Sequence, residues 1–330
     1  MITQRYIHLN SSDEWKEALK GVNHAFGHTW ESCYGMSLST GFKTYLYCFK
    51  AEKIRVVCPI SEREFNNQID IVTPYGFSGF TGTGNQDAFP YYWKEFTKQK
   101  GYVCGYIGLN PLFENKNYFE LSDYHSYNHI YALDLTEPED KLFSNLSENR
   151  RRQVKDWKKY IFNYEKETLI NFFLDNYHDF MKQRKVSSVY KFSLETLLFL
   201  LDLDNILIVG AGQPNKVEAV SLFAYTPYVG DFLFNVSLPE GKRHSVPLIW
   251  AALKQLQSLK VPLLNLGGGV RENDSLAQFK ERFGGKKLPL ACLKQVYRSE
   301  IYRELCLQIE ANPDDYSGYF PPYRNPQVLT

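Results

Sequence analysis

The chain has 330 residues, 44% of them hydrophobic and 16% aromatic, with a net charge of +1. That length is a prior for two domains with real cores. The even charge balance excludes a general field that would gather long nucleic acid or an anionic membrane. Six scattered cysteines with no C-x-x-C pair read as buried thiols of a reducing compartment. The N-terminal residues lack the apolar core of a signal peptide, and no run reaches the roughly 18 apolar residues of a bilayer span, so a cytoplasmic protein is expected.

In chain order, the β-rich runs Thr44–Phe49 and Ile54–Ile60, joined by the polar turn Lys50-Ala51-Glu52-Lys53, predict a hairpin. A third run, Ile69–Thr73, leads into the glycine- and aromatic-rich segment PYGFSGFTGTG. A helix over about Asp87–Lys100 and a strand over Tyr102–Ile107 follow. One long helix over Glu139–Tyr160 is then expected to link the halves, which places domain boundaries at 1–136 and 137–330, the second domain including that helix. Beyond it the first order returns. Ile206–Val209 and Val217–Tyr225 flank the turn 210–215, and a strand covers Asp231–Val236. A helix over Ser245–Leu259 with Ser245 as N-cap and a strand at Pro262–Leu266 complete the repeat. Corresponding elements lie roughly 160 positions apart, which points to a structural duplication of mixed α/β units.

Two cations fall where the helical period calls for apolar residues. Arg150 sits four residues from both Leu146 and Val154 in the stripe Phe143, Leu146, Val154, Trp157. Either its stem packs while its head reaches water, or its planar fork grips a phosphate or carboxylate in a cleft. The wider run Arg150, Arg151, Arg152, Lys155, Lys158, Lys159 reads as a solvated basic face. The second case is Lys280, four residues after Leu276 and so on the face of Leu276, Phe279 and Phe283. A short helix there would be capped by Asn273 or Asp274 and end before Gly284. Lys280 either snorkels or is placed in a cleft to stabilise a forming oxyanion.

The glycines Gly267-Gly268-Gly269 precede that helix and allow backbone to approach a ligand. They lack the spacing of a dinucleotide fingerprint, and PYGFSGFTGTG lacks the Gly-Lys-Ser/Thr of a phosphate loop. The seven histidines show no metal-ligand spacing, so no metal is expected. With no nucleophile signature, a covalent hydrolase is disfavoured.

Several segments together resemble the FemAB-like members of the GNAT superfamily, over nearly the whole chain and in order. Thr73-Pro74-Tyr75-Gly76 with Gly79 is similar to the family's TPYGY-x-G. Asn110-Pro111-Leu112 is similar to its hPL turn, and Arg151-Arg152-Gln153-Val154 to its R-x-x-[IV]. The stretch from Asn265-Leu266-Gly267-Gly268 to Phe279-Lys280 and Phe283-Gly284 resembles D-[FL]-G-G…L-x-x-FK-x-x-FG. Tyr319–Arg324 is similar to a tail of polysaccharide-pathway members.

The resemblance implies tandem GNAT-like α/β domains and an N-acyl- or aminoacyltransferase acting on an amine of an amino-sugar or cell-envelope precursor. It implies that Phe279 and Lys280 contact the donor and that Arg151, Tyr75, Gly76, Gly267 and Gly268 line substrate, to which the helical stripe adds Arg150. Lys280 would hold the tetrahedral intermediate. Asp231 and Tyr225 are candidates for the base from their strand positions. No tightly bound cofactor is expected. The donor is either aminoacyl-tRNA, reached through a local basic patch, or acyl-CoA; the acceptor is a small-molecule or nucleotide-linked amine.

The chain departs from the family in two places. It has no long paired-helix insertion, and Ser237–His244 lacks the R/Q-x-x-G-x-[GA] loop that cradles a CoA pyrophosphate. Two alternatives stay open, an acyl-CoA-dependent GNAT enzyme of another pathway and a catalytically silent binding subunit.

Overall fold

The computed structural model describes residues 2–84, 87–113, 116–162, 164–184 and 191–325. The elements begin with β1 (Ile2–His8), α1 (Ser12–Leu19), α2 (Trp30–Thr40), β2 (Lys43–Ala51), β3 (Ile54–Phe65), β4 (Gln68–Val72) and β5 (Thr81–Thr83). They continue with α3 (Phe89–Gln99), β6 (Cys104–Gly108), β7 (Tyr124–Asp134), α4 (Glu139–Asn145), α5 (Glu148–Lys155), α6 (Lys166–Gln183) and α7 (Leu194–Asp202). The last are β8 (Ile206–Gln213), β9 (Lys216–Tyr225), β10 (Gly230–Ser237), α8 (Ser245–Ser258), β11 (Leu263–Asn265), α9 (Ser275–Glu281), β12 (Lys286–Val296) and α10 (Ser299–Leu307). The chain divides into two units, Met1–Tyr127 with Leu290–Thr330, and Asn128–Pro289. This differs from a single cut at 136/137, because Cys292–Val296 of β12 pair with β6 and return the C-terminal residues to the first unit.

In the first unit the strands run β1-β2-β3-β4-β6-β12, with β5 paired to β3. The glycine- and aromatic-rich segment 74–84 contains a short strand, Thr81–Thr83 against Val57–Arg55. Strand alternation builds two cores from β2. Leu46 and Cys48 join Ile7, Trp15, Leu19 and Val57, while Tyr47 and Phe49 join Phe80, Phe89 and Trp93. This second layer is rich in aromatic rings. The β3–β4 turn puts Asn66 and Asn67 at positive φ, as a tight two-residue hairpin demands.

In the second unit the order is β7-β11-β10-β9-β8. The turn of the β8–β9 hairpin is shorter than expected, since Gly210–Gln213 pair with Val220–Lys216. Of the apolar face that its period predicts, α8 buries Leu248, Ile249, Ala252, Leu253 and Leu256, and Trp250 and Ala251 besides, while Leu259, past the helix end, is 50% exposed. Ser245 is not its cap. A 3-10 turn, Glu240–His244, runs straight into the helix, and the Ser245 hydroxyl turns back to the Lys242 carbonyl.

The linking helix is also corrected. It is broken into α4, α5 and a 3-10 turn at Trp157–Lys159, with Leu146 and Ser147 extended between the first two. Packing decides the break: the Ser147 N–H donates to the Arg282 carbonyl at the end of α9.

The doubled β–α–β order is present in both units. β4 and β6, linked through α3, pair in parallel at Ile71–Gly105 and Val72–Tyr106. β10 and β11, linked through α8, do so at Gly230–Leu264 and Asp231–Asn265. No helix among the described residues is long and apolar enough to cross a membrane.

Candidate functional site

A dense polar constellation of the second unit lies where β11 ends. Asn265, fully buried, faces Asp231 across the last parallel pair and donates from Nδ2 to its Oδ1 at 2.9 Å. Its own Oδ1 accepts the Gly267 N–H at 2.8 Å. That bond starts the turn, and Gly267 takes φ +70°, a conformation L side chains rarely adopt. The next two glycines are each held by a side chain. Lys280 Nζ donates to the Gly268 carbonyl at 2.7 Å, and Asn128 Nδ2 to that of Gly269 at 2.9 Å. Gly268 lies so close to β7 that a Cβ there would sit 2.2 Å from the His129 carbonyl oxygen.

Asp274 then caps α9. One carboxylate oxygen accepts the Ala277 N–H, and the other accepts those of Val270 and Arg271. Of the two candidate caps, Asp274 is the one used. Its carboxyl is held below its ordinary value: burial alone would raise it, and the surrounding backbone N–H groups outweigh that.

Lys280 is 7% exposed. Of its three expected neighbours on the inward face, Phe283 is buried and Phe279 partly so, and Leu276 is not. Leu276 is 40% exposed, and burial falls on Ala277, Lys280 and, past the helix end, Phe283. Burial pushes the ammonium down to about 8, against the opposing pull of Asp274. An ammonium has three donors, and the Gly268 carbonyl takes one.

Arg150 is buried too, with its guanidinium over the Phe279 ring at 4.4 Å and the Phe283 ring at 5.6 Å. Nη1 donates to Gln153 at 2.6 Å, while Nε is buried without a hydrogen-bond partner. Burial and the neighbouring Arg282 charge lower its pKa. Arg151 donates to the carbonyls of Ser144 and Leu146, at the end of α4. Both guanidinium groups are thus engaged in joining α5 to α9 and α4. Arg152, Lys155, Lys158 and Lys159 are exposed, as a solvated basic face requires.

The two base candidates diverge. Tyr225 pairs with Gly230 and Asp231 with Ala224, so their side chains leave opposite faces of the sheet. The Tyr225 hydroxyl meets the Asp204 carbonyl, and Asp231 is spent on Asn265.

Tyr75 and Gly76 belong to the first unit, after β4. There Tyr75 is exposed and Gly76 has φ +123°. Thr73 Oγ1 accepts the Gly108 N–H, and Asn110 Nδ2 donates to the Phe77 carbonyl, which ties the TPYG and NPL segments together.

Sequence reasoning missed Asn128 and His129 of β7, and Glu272. Only the approach of β7 to the glycine turn brings them into the constellation, and no local pattern announces it. Among the described residues, no group of three or more His, Cys, Asp or Glu side chains could hold a metal ion.

No family model matches the sequence, and no curated protein matches it significantly. Solved structures do. The crystal structure of FemX superposes with a TM-score of 0.68 at 8% identity, covering 92% of this chain and 99% of FemX. The fold is that of FemX. A conserved protein of unknown function from Bacteroides thetaiotaomicron gives 0.59 at 10% identity, over 90% of this chain and all of the other. L-PGS from Bacillus licheniformis shares the fold at 0.54 and 12% identity, over 86% and 91% of the two chains.

Proposed function

We propose that this chain moves an activated acyl or aminoacyl group from an ester or thioester donor onto an amine of an amino-sugar or cell-envelope precursor. The observation that carries the reading is the buried Lys280 ammonium, fixed on the Gly268 carbonyl of the glycine turn. The FemX fold and the matching Phe279-Lys280 pair support it. The acceptor nitrogen attacks the donor carbonyl, whose oxygen gains charge as the tetrahedral intermediate forms, and the ammonium stabilises that oxyanion. Holding donor and acceptor together supplies much of the remaining acceleration. Aminoacyl-tRNA and acyl-CoA both present such a carbonyl. The 3-10 turn Glu240–His244, which takes the place of a glycine cradle before α8, favours the former.

The test is formation of the amide product, read by mass spectrometry. Donors are alanyl-tRNA and acetyl-CoA; acceptors are a UDP-linked amino sugar and a UDP-linked lysyl pentapeptide. Replacing Lys280 with Met keeps the apolar stem and deletes the charge, so turnover should fall about a hundredfold, near 2.7 kcal/mol. Only the charged form serves an oxyanion, so the Lys280-dependent part of the rate fades as pH rises through about 8. An unchanged rate in Lys280→Met would sink the assignment and put the binding-subunit reading in its place.

A further inference from the structure

Neither base candidate read from the sequence is placed to accept the proton that the attacking amine must lose. Asp231 is bonded to Asn265, and Tyr225 lies on the other face of the sheet. β7 supplies a third candidate. Its His129 backbone abuts the glycine turn at Gly268, the residue whose carbonyl holds Lys280. The His129 N–H donates to Asn128 Oδ1 at 2.8 Å, and the same Asn128 amide reaches the Gly269 carbonyl, so strand and turn are pinned together.

Nδ1 of His129 is buried and lies 3.3 Å from Glu272 Oε1, within ion-pair distance but without hydrogen-bond geometry, while the side chain as a whole is 29% exposed. One ring nitrogen therefore faces a carboxylate, and the imidazole keeps an open side. The charged group that faces it is Glu272 from the turn, and Tyr131 is the next titratable residue along β7. Tyr131 shares the His129 face of the strand. Its hydroxyl pKa is raised by burial and by the charges of Glu281, Asp274 and Glu272.

We propose that His129, oriented by the positioning residue Glu272, is the catalytic base that takes the proton of the attacking amine, a role that rests on the transferase reading above. With Nδ1–H toward Glu272, Nε2 carries the lone pair. The amine nitrogen bonds to the donor carbonyl carbon, the carbonyl π pair moves to oxygen beside Lys280, and the N–H proton passes to Nε2. Glu272 offsets the imidazolium charge. As the tetrahedral centre collapses, its bond to the donor oxygen or sulfur breaks. The proton on Nε2 then goes to that leaving atom, giving an amide and a free hydroxyl or thiol and restoring neutral His129.

The full chain is assayed with alanyl-tRNA and acetyl-CoA as donor probes and the UDP-linked amino sugar as acceptor probe. His129→Gln should lower kcat by about a hundredfold or more, within the span of general-base effects, and leave the donor KM unchanged. His129→Gly should regain turnover on addition of free imidazole, which a purely structural histidine would not allow. Glu272 is exposed, so Glu272→Gln should leave the melting temperature alone and lower kcat by a smaller factor. A wild-type-like kcat in His129→Gln, or a His129→Gly loss that imidazole does not relieve, overturns the assignment. In that case a Lys280→Met defect leaves the transferase reading standing. A wild-type chain that transfers from neither donor overturns both.

Discussion

Lys280 is kept as a buried cation that contributes little to the fold. A displacement from 10.5 to about 8 corresponds to roughly 3 kcal/mol of penalty on the charged form. A lysine depressed in the folded state binds its proton more weakly there than in the unfolded chain. The penalty is therefore full below about pH 8 and is relieved as pH rises toward 10.5. Lys280→Met should melt at a higher temperature than wild type at pH 7, and the gain should close by pH 10.5, as read by calorimetry. A variant less stable at both ends would show that the Gly268 bond outweighs desolvation. Arg150 behaves differently, since its planar cation fills the space against two rings. Arg150→Lys keeps the charge but loses the stack, and should cost about 1–2 kcal/mol in urea unfolding. The helical period pointed Lys280 inward but chose Leu276 as its companion. In a helix of seven residues, burial follows the elements it lies against, and the first turn here is left open. His129 could not be read at all, because it joins Lys280 from a strand about 150 positions earlier.

The element that sets the site is the turn-and-cap between β11 and α9. Asp274 satisfies three backbone N–H groups with one carboxylate. Asp274→Ala should destabilise by about 1–2 kcal/mol, measured by urea titration at pH 7. Because its folded pKa is depressed, the stabilisation is present above the unfolded value of 3.8 and is lost as pH falls through the folded one. The gap between wild type and Asp274→Ala should therefore narrow in acid. An unchanged gap at low pH would show that the carboxylate charge is not what holds the turn. Asp274 was visible from the sequence as one of two caps, since a short polar acceptor before an apolar run is a local signal. The break at Leu146–Ser147 was not visible, although Ser147 precedes Glu148 in a pattern that also starts helices. A helical stripe runs unbroken through it, and only the bond to Arg282 and the Arg151 grip on the α4 carbonyls decide the matter.

At the scale of the molecule, strands do not stay with their chain neighbours. β7 follows β6 but pairs with β11, while β12, from the far end of the chain, pairs with β6. The hairpins and β–α–β arches were legible because they are local, and the exchange was not, because pairing across nearly 200 positions leaves no periodic trace. The tail that follows α10 is the other long-range feature. Asp70 of β4, 1% exposed, is met by Arg63 Nε at 2.8 Å and Nη2 at 2.6 Å. Arg324 pairs with its second oxygen, and the Tyr323 hydroxyl donates to that oxygen at 3.3 Å. The Phe65 ring stacks on Tyr323 at 5.1 Å. One carboxylate thus holds two arginines and ties the C-terminal tail to the β3–β4 hairpin. Removing one partner of a buried ionic group leaves the other charges uncompensated, which costs about 3–5 kcal/mol. Asp70→Asn keeps the shape and strands both guanidinium groups, so its urea midpoint should fall by an amount in that range. Arg324→Met should cost less, because Arg63 still neutralises Asp70 while the methionine packs against Phe65. The order of the two variants is the test. Equal losses would mean that the tail is held by its rings and backbone, and that the carboxylate serves only the hairpin.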